Sequence, residues 1–251
     1  GGTVSFSGTL YLTNNFTYTS GTVDAGTSTV YITSKSAKTI NANSMSFYNF
    51  TFGGWYVNYT LSSPMTVLGT LTLADTYNGY SGGVNGSYIN AKGDITCTNY
   101  GQSGTTVVYI NGNTNQTISG ASGSHIPNLN INSSGGTVTF TGSFSLNRDF
   151  TYTSGTVDFG TSSLSFVGGN DHTISASNLN FYDLTLSGSN SDFTISSSFN
   201  VYGTLTINDS YGGTINGNTI YAFGNVTATN NGKTGTTLIK LVGSSNQTVT
   251  G

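Results

Sequence analysis

Residues 104–120 read GTTVVYINGNTNQTISG, and related stretches recur along the chain. The other copies are GTSTVYITSKSAKTINA from residue 26, GTSSLSFVGGNDHTISA from residue 160 and GTTLIKLVGSSNQTVTG from residue 235. In each copy the fifth and seventh positions are apolar, and a polar turn precedes a Thr-apolar pair. This period of two, with Gly, Asn and Ser in the turns, predicts two short half-buried strands per copy.

A longer repeat contains these motifs. GGTVSFSG at residue 1 returns as GGTVTFTG at residue 135, and FTYTSGTVD at residue 16 returns unchanged at residue 150, both at an offset of 134. After a loop that is shorter in the second copy, the offset becomes 131. We therefore expect two repeats, residues 1–134 and a truncated 135–251, in one continuous array.

The composition favours strands and argues against several functional classes. Charged residues make up only 6%, while 35% of residues are hydrophobic and 12% aromatic, so the chain has enough apolar residues for a core. Six scattered Lys and Arg residues with a net charge of -3 offer no surface for nucleic acid. No apolar run is long enough for a transmembrane helix, and the predicted strands are too short to cross a bilayer, so we expect no membrane insertion.

Within each repeat, strand starts recur about every 21 residues, or about every 34 where the four-fold motif intervenes. This spacing predicts an all-β parallel β-helix, or β-solenoid, with coils of about 21–35 residues and essentially no helix. We expect nine or ten coils, each rising about 4.8 Å. The longer coils are expected to carry a protruding pair of strands or a wide loop.

The motifs FYDLTL at residues 181–186, GTLTI at residues 203–207 and the stretch from residue 104 resemble β-strand repeat segments of large bacterial surface and secreted proteins. In those segments F-x-N-L-T-I, G-x-L-T-I and G-T-x-x-V-x-F-x-G-x-x-x-Q-T-I motifs follow one another. The resemblance covers the whole chain. It implies a β-solenoid at the cell surface or outside the cell, as a stalk, an adhesin or a fibre, and it brings no catalytic residues.

Alternation along the strands predicts which side chains face inward. We expect the following residues to be buried: Leu71, Leu73, Phe150, Tyr152, Leu184, Leu186, Val226 and Ala228. Cys97 matches Ala228 and is expected to be a buried small residue. His172 occupies a motif position held elsewhere by Lys38, Gln116 and Gln247, and a structural role at the surface is expected for it. Trp55 is expected in a loop, either packed or exposed for contact with a sugar or a neighbouring fibre.

The acids occur singly. Asp24 with Asp158, and Asp75 with Asp209, are kept in both repeats at strand ends, where Asp commonly closes a turn. Calcium is the alternative role for these residues, although no acidic cluster is present. Acids at other positions alternate with Asn between the repeats: Asp149 with Asn15, Asp183 with Asn49, Asp192 with Asn58, and Asp94 with Asn225. We predict no catalytic, cofactor or metal site.

The N-x-S/T pattern for N-glycosylation occurs nine times, at Asn15, Asn49, Asn58, Asn85, Asn115, Asn132, Asn208, Asn225 and Asn246. Only Asn115 and Asn246 are equivalent in the two repeats. The pattern therefore gives acceptor sites without a regular glycan lattice.

Repetition without a cluster of ionisable groups favours a structural protein over an enzyme. The leading hypothesis is an extracellular filament or adhesin shaft whose open solenoid ends stack head to tail on further copies. The first alternative is a module that binds surface glycans or ice through outward Thr pairs, such as Thr70 with Thr72 and Thr204 with Thr206. A polysaccharide-degrading enzyme is the weaker alternative, because glycoside hydrolysis needs two nearby carboxylates.

Overall fold

The computed structural model describes residues 2–75 and 82–251, and it confirms the predicted fold class. The described residues contain no helix and form a β-solenoid of about 12 turns with a repeat of about 21 residues. None of them belongs to a helix with the length and hydrophobicity needed to cross a bilayer. Successive coils are joined by parallel strand pairing, as in the register Leu71↔Ile95 and Thr72↔Thr96.

Each coil contributes one strand segment to each of three walls, here called faces A, B and C. Face A contains Thr3–Ser5, Thr22–Asp24, Ser46–Phe47, Met65–Val67, Tyr88–Ala91, Val107–Ile110, the start of Asn128–Leu146, the start of Phe150–Asp158, His172–Ser175, Phe193–Ile195, Gly213–Gly217 and Lys233–Thr234.

Face B contains Thr9–Leu12, Thr29–Ile32, Asn49–Phe52, Leu71–Asp75, Ile95–Asn99, the start of Gln116–Ile126, the middle of Asn128–Leu146, the end of Phe150–Asp158, Asn180–Phe181, Phe199–Val201, Ile220–Ala222 and Ile239–Leu241.

Face C contains Phe16–Thr17, Lys38–Asn41, Asn58–Leu61, Gly83–Gly86, single bridges at Gly101 and Ser103, the ends of Gln116–Ile126 and Asn128–Leu146, Ser163–Phe166, Asp183–Gly188, Leu205–Asp209, Val226–Asn230 and Val249–Thr250.

The core is a set of ladders in which apolar residues stack on apolar residues one coil away. One ladder on face B runs through Val30, Phe50, Leu71, Ile95, Ile118 and Phe140, all of them buried. Burying one such side chain contributes roughly 1.5–3 kcal/mol. Because each residue contacts mainly its neighbours one coil above and below, stability adds up along the rod.

The four-fold motif turns a corner between two faces, and it adds no protruding pair of strands. In the second copy, Val107–Ile110 lies on face A and the strand beginning at Gln116 lies on face B. In the first copy, Thr29–Ile32 lies on face B and Lys38–Asn41 on face C. The coils therefore stay close to 21 residues, and their number is about 12, not nine or ten.

Equivalent residues of the two repeats lie on different faces. Thr3–Ser5 is on face A, whereas its equivalent at residues 137–139 is on face B, over Gln116 and Ile118. An offset of 134 residues at about 21 residues per coil is about six and one third turns. Each repeat is therefore shifted by one face around the rod relative to the repeat before it. The pattern would return to its first face only in a fourth repeat.

The residues predicted to face inward are buried, with two exceptions. Leu71, Leu73, Phe150, Leu184, Leu186 and Val226 are buried as expected. Tyr152 is only partly buried, because its hydroxyl reaches out to donate to the carbonyl of Gly155 at 2.7 Å. Ala228 is also only partly buried, since the last strand pairs with Val226 and Thr227 and places no strand residue over Ala228.

Candidate functional site

Asn and Asp side chains fasten each coil to the next at the corners of the rod. The Oδ1 atom of Asn49 accepts a hydrogen bond from the backbone amide of Thr70, 21 residues later, at 2.7 Å. Its equivalent Asp183 accepts the same bond from Thr204 at 2.6 Å. Because the required group is an acceptor oxygen, which both side chains supply, the interchange of Asn and Asp between the repeats follows directly.

The same contact is made at five of the six other interchanging residues. Side-chain oxygens accept backbone amides in these pairs: Asn15 with Thr39, Asp149 with Thr173, Asp192 with Thr214, Asp94 with Thr117, and Asn225 with Thr248. The distances lie between 2.7 and 2.9 Å. These residues are structural clips between coils.

The nine predicted glycan acceptors lie on the walls and corners, and several belong to these clips. Asn85 and Asn115 accept the amides of Thr105 and Thr137. Asn132 accepts the hydroxyl of Ser154, and Asn208 accepts the amide group of Asn230. The exposed acceptors are Asn15, Asn58, Asn115, Asn132, Asn225 and Asn246, and the half-buried ones are Asn49, Asn85 and Asn208.

A buried polar residue closes the turn of the four-fold motif. Gln116 accepts the amide of Gly112 at 2.9 Å and donates to the carbonyls of Ala91 and Gly93 in the preceding coil. Gln247 makes the equivalent three bonds. The sequence reasoning missed this role, although the recurrence of Gln at an otherwise variable position was a signal for it.

His172 takes the place of this glutamine and is buried, which corrects its predicted surface position. Its Nδ1 donates to the carbonyl of Arg148 at 2.9 Å, and its ring stacks on Phe193 with centroids 4.8 Å apart. Its Nε2 is buried with no hydrogen-bond partner among the described residues. Burial is the main cause that lowers the pKa of His172.

The conserved acids close turns as predicted. Asp24 and Asp158 accept the amides of Gly26 and Gly160, at 2.9 and 2.8 Å. Asp75 is buried and accepts the amide of Gly82 at 2.5 Å.

Asp209 is also buried, and it has a charged partner that the sequence did not reveal. Its Oδ1 accepts the amides of Tyr211 and Gly212, and its other oxygen is paired with the buried ammonium of Lys233. Burial opposes ionisation of this carboxyl, but Lys233 and the backbone donors prevail and lower its pKa to about 2.

The other ionisable groups are dispersed. Cys97 is buried as predicted, and burial raises the pKa of its thiol to about 12. Within residues 2–75 and 82–251, no group of three or more His, Cys, Asp or Glu side chains is placed to hold a metal ion.

In the predicted outward Thr pairs, one threonine lies within a strand and the other lies at the corner before it. Thr72 and Thr206 lie within strands and are half-buried, whereas Thr70 and Thr204 precede the strands and donate their amides to the Asn and Asp clips. The longest Thr ladder on face C contains one Thr per coil, at Thr185, Thr206, Thr227 and Thr250.

The two end coils expose residues whose equivalents are buried inside the rod. On the last coil, Leu241 is 47% and Val249 63% exposed, whereas their equivalents Ile110 and Ile118 are fully buried. On the first coil, Val4 is 58% exposed, whereas its equivalent Val138 is fully buried. Both end surfaces therefore carry apolar ladder positions that a further coil would cover.

The chain matches no protein-family model, no curated protein and no solved structure.

Proposed function

We propose that this protein is a structural element that stacks head to tail on copies of itself, forming an extracellular filament or the shaft of an adhesin. The observation that carries the proposal is the stacking of successive coils, in which parallel strand pairing and apolar ladders such as Ile118 with Phe140 continue from one coil to the next. Leu241 and Val249 are exposed at one end and Val4 at the other, while the equivalent positions inside the rod are buried. Apolar residues next to unpaired strand edges favour the addition of further strands.

The contact between the two repeats is a template for such stacking. The strand at residues 116–120 is covered by residues 138–142, with Ile118 opposite Phe140 and Asn115 bonded to Thr137. The strand containing Val249 has the same sequence pattern as residues 116–120, and the strand containing Val4 has the pattern of residues 138–142. The two strands that pair on this one face thus have equivalents in the first and last coils.

The contact would be heterologous, because the first coil of one copy meets the last coil of another. Heterologous contacts that do not close on themselves produce filaments. The extracellular location rests on the resemblance to bacterial surface repeats, and antibody labelling of intact cells tests it separately.

The deciding experiment uses two blocked variants. Leu241→Lys with Val249→Lys blocks the last coil, and Val4→Lys with Leu10→Lys blocks the first coil. Wild-type protein should form filaments in electron micrographs with an axial repeat of about 58 Å, from about 12 coils at about 4.8 Å each. Each blocked variant alone should be monomeric in light scattering, and an equal mixture should give dimers and nothing longer.

The matched control is Tyr202→Lys, since Tyr202 is exposed on the side of the rod and should still allow filaments. Wild-type protein that stays monomeric at every concentration would overturn the proposal. Filaments formed equally by the doubly substituted variants would overturn the end-to-end contact.

A further inference from the structure

An aromatic surface lies on the side of the first three coils. Tyr11 and Tyr31 are in register on face B, and their rings lie 5.6 Å apart between centroids. Tyr11 is 68% exposed. Trp55 follows the next strand of the same face and is 53% exposed. The Lys35 ammonium lies 5.7 Å from the centre of the Trp55 ring.

Tyr31, Lys35 and Trp55 border a groove of about 510 Å³, which Thr13, Thr33 and Ser34 also line. Tyr11 lies beside this groove, against the ring of Tyr31. Hydroxyl groups therefore lie beside the aromatic rings. Among residues 2–75 and 82–251, no acidic side chain lines the groove, although the chain as a whole has a net charge of -3. Lys35 makes this groove locally cationic.

The second repeat shows that the fold does not require these side chains. The equivalents of Tyr11, Tyr31, Lys35 and Trp55 are Ser145, Ser165, Gly169 and Ser189. The inward neighbours on the same strands remain apolar, since Leu10 and Leu12 match Phe144 and Leu146. All four substitutions are confined to the outward side, where they affect the surface and not the core.

The backbone beneath the groove is adapted to the aromatic rings. A Cβ atom at Gly53 would lie 2.5 Å from the hydroxyl oxygen of Tyr31, so a larger residue at position 53 would make the Tyr31 ring shift. In the second repeat, where Ser165 replaces Tyr31, Ser187 replaces Gly53. Glycine therefore occurs at this position in the repeat that carries Tyr31, and serine occurs there in the repeat that carries Ser165.

We propose that this groove binds an acidic polysaccharide, with pyranose rings against Tyr11, Tyr31 and Trp55 and a carboxylate near Lys35. Aromatic side chains offer rigid apolar surface, and the neighbouring hydroxyls provide hydrogen bonds that fix orientation. The Lys35 ammonium can pair with a carboxylate of the polysaccharide, whereas a neutral glycan has no group for this contact. The site lies on the side wall, so a filament built by end stacking would display it at intervals along its length.

Trp55 provides a direct probe because the chain contains one tryptophan. Polygalacturonate should produce a saturable change in Trp55 fluorescence that weakens as salt is added, whereas neutral dextran should bind at least about tenfold more weakly. The titration uses the chain with Leu241→Lys and Val249→Lys, so that end stacking does not cover Tyr11. This background also separates the result from the test of assembly.

The variant Tyr11→Ser with Tyr31→Ser copies residues of the second repeat and should fold normally by circular dichroism. We expect it to weaken polygalacturonate binding roughly tenfold. Lys35→Gln should remove the salt dependence of polygalacturonate binding. The matched control, Tyr88→Thr, removes an exposed tyrosine that contacts Tyr109 elsewhere on the rod, and this variant should bind like the parent.

Three results would overturn the proposal. The first is no change in Trp55 fluorescence with polygalacturonate. The second is unaltered binding by the variant with both tyrosines replaced. The third is equal binding of dextran, which would exclude an acidic ligand.

Discussion

The side-chain oxygen of Asn115 accepts a hydrogen bond from the backbone amide of Thr137 at 2.9 Å, and this bond joins the first sequence repeat to the second. The same kind of bond recurs along the rod, with Asn or Asp as the acceptor. Continuity of the solenoid therefore rests on corner clips as well as on the stacked core.

Replacing Asn115 tests the contribution of one clip. Asn115→Leu should lower the free energy of unfolding by about 1 kcal/mol because the Thr137 amide loses its acceptor. Asn115→Asp should change it by less than about half of that, since the oxygen is kept. Urea denaturation measures both, and Asn246→Leu on the last coil is the control with little expected effect. Equal losses for Leu and Asp at residue 115 would contradict the clip.

Gly104 tests the close approach of neighbouring coils. Its φ is +121°, and a Cβ there would collide with the carbonyl of Val84. Gly104→Ala should therefore destabilise the rod by more than about 1 kcal/mol. Gly123→Ala is the control, because Gly123 also has a positive φ but has nothing within 4 Å of an added Cβ. Thermal or urea unfolding that ranks the two variants equally would refute the steric argument.

Protonation of His172 should destabilise the rod as the pH falls. Its pKa is lowered in the fold mainly by burial, so below the unfolded value of about 6.5 the unfolded chain binds a proton that the native chain resists. The contribution of neutral His172 to stability is therefore fully present above about pH 6.5 and declines below it. His172→Gln, which copies Gln116, should reduce this slope in denaturation curves between pH 7 and 5. Part of the slope should remain because the pKa of His125 is lowered too.

Protonation of Asp209 should cause a second decline in stability at lower pH. Its folded pKa is about 2, below the unfolded value of about 3.9, so its contribution is present above about pH 4 and is lost as the pH falls towards 2. Lys233→Gln, which copies Gln102 of the first repeat, should raise the pKa of Asp209 and move this decline to higher pH. Denaturation midpoints from pH 5 to 2 measure the shift, and an unchanged profile would exclude the ion pair as its cause.

Cys97 should be inert in the native rod. Burial raises the pKa of its thiol to about 12, so the thiolate is scarce and shielded at pH 8. A thiol reagent should label it only after denaturant unfolds the chain. Cys97→Ala, which copies Ala228, should fold normally and remain unlabelled. Rapid labelling of the native protein would show that the first repeat opens locally at this coil.

The sequence alone determined the all-β solenoid, the two repeats and most of the inward residues. Alternation sufficed because strand side chains point to opposite sides in turn, so Leu71 and Leu73 had to share one side. The turn-closing roles of Asp24 and Asp158 were also predictable, because their hydrogen bonds are local, two residues along the chain.

Only the tertiary structure decided which residues meet across coils. His172 packs against Phe193 of the next coil, and Lys233 meets Asp209 because the two residues, 24 positions apart, lie on adjacent coils. The repeat length was visible in the sequence, but the face on which each copy lies depends on how many residues complete one turn. Because 134 residues give about six and one third turns, identical motifs lie on different faces. Because about 21 residues complete one turn, Tyr11, Tyr31 and Trp55 lie near one another on the side of the rod.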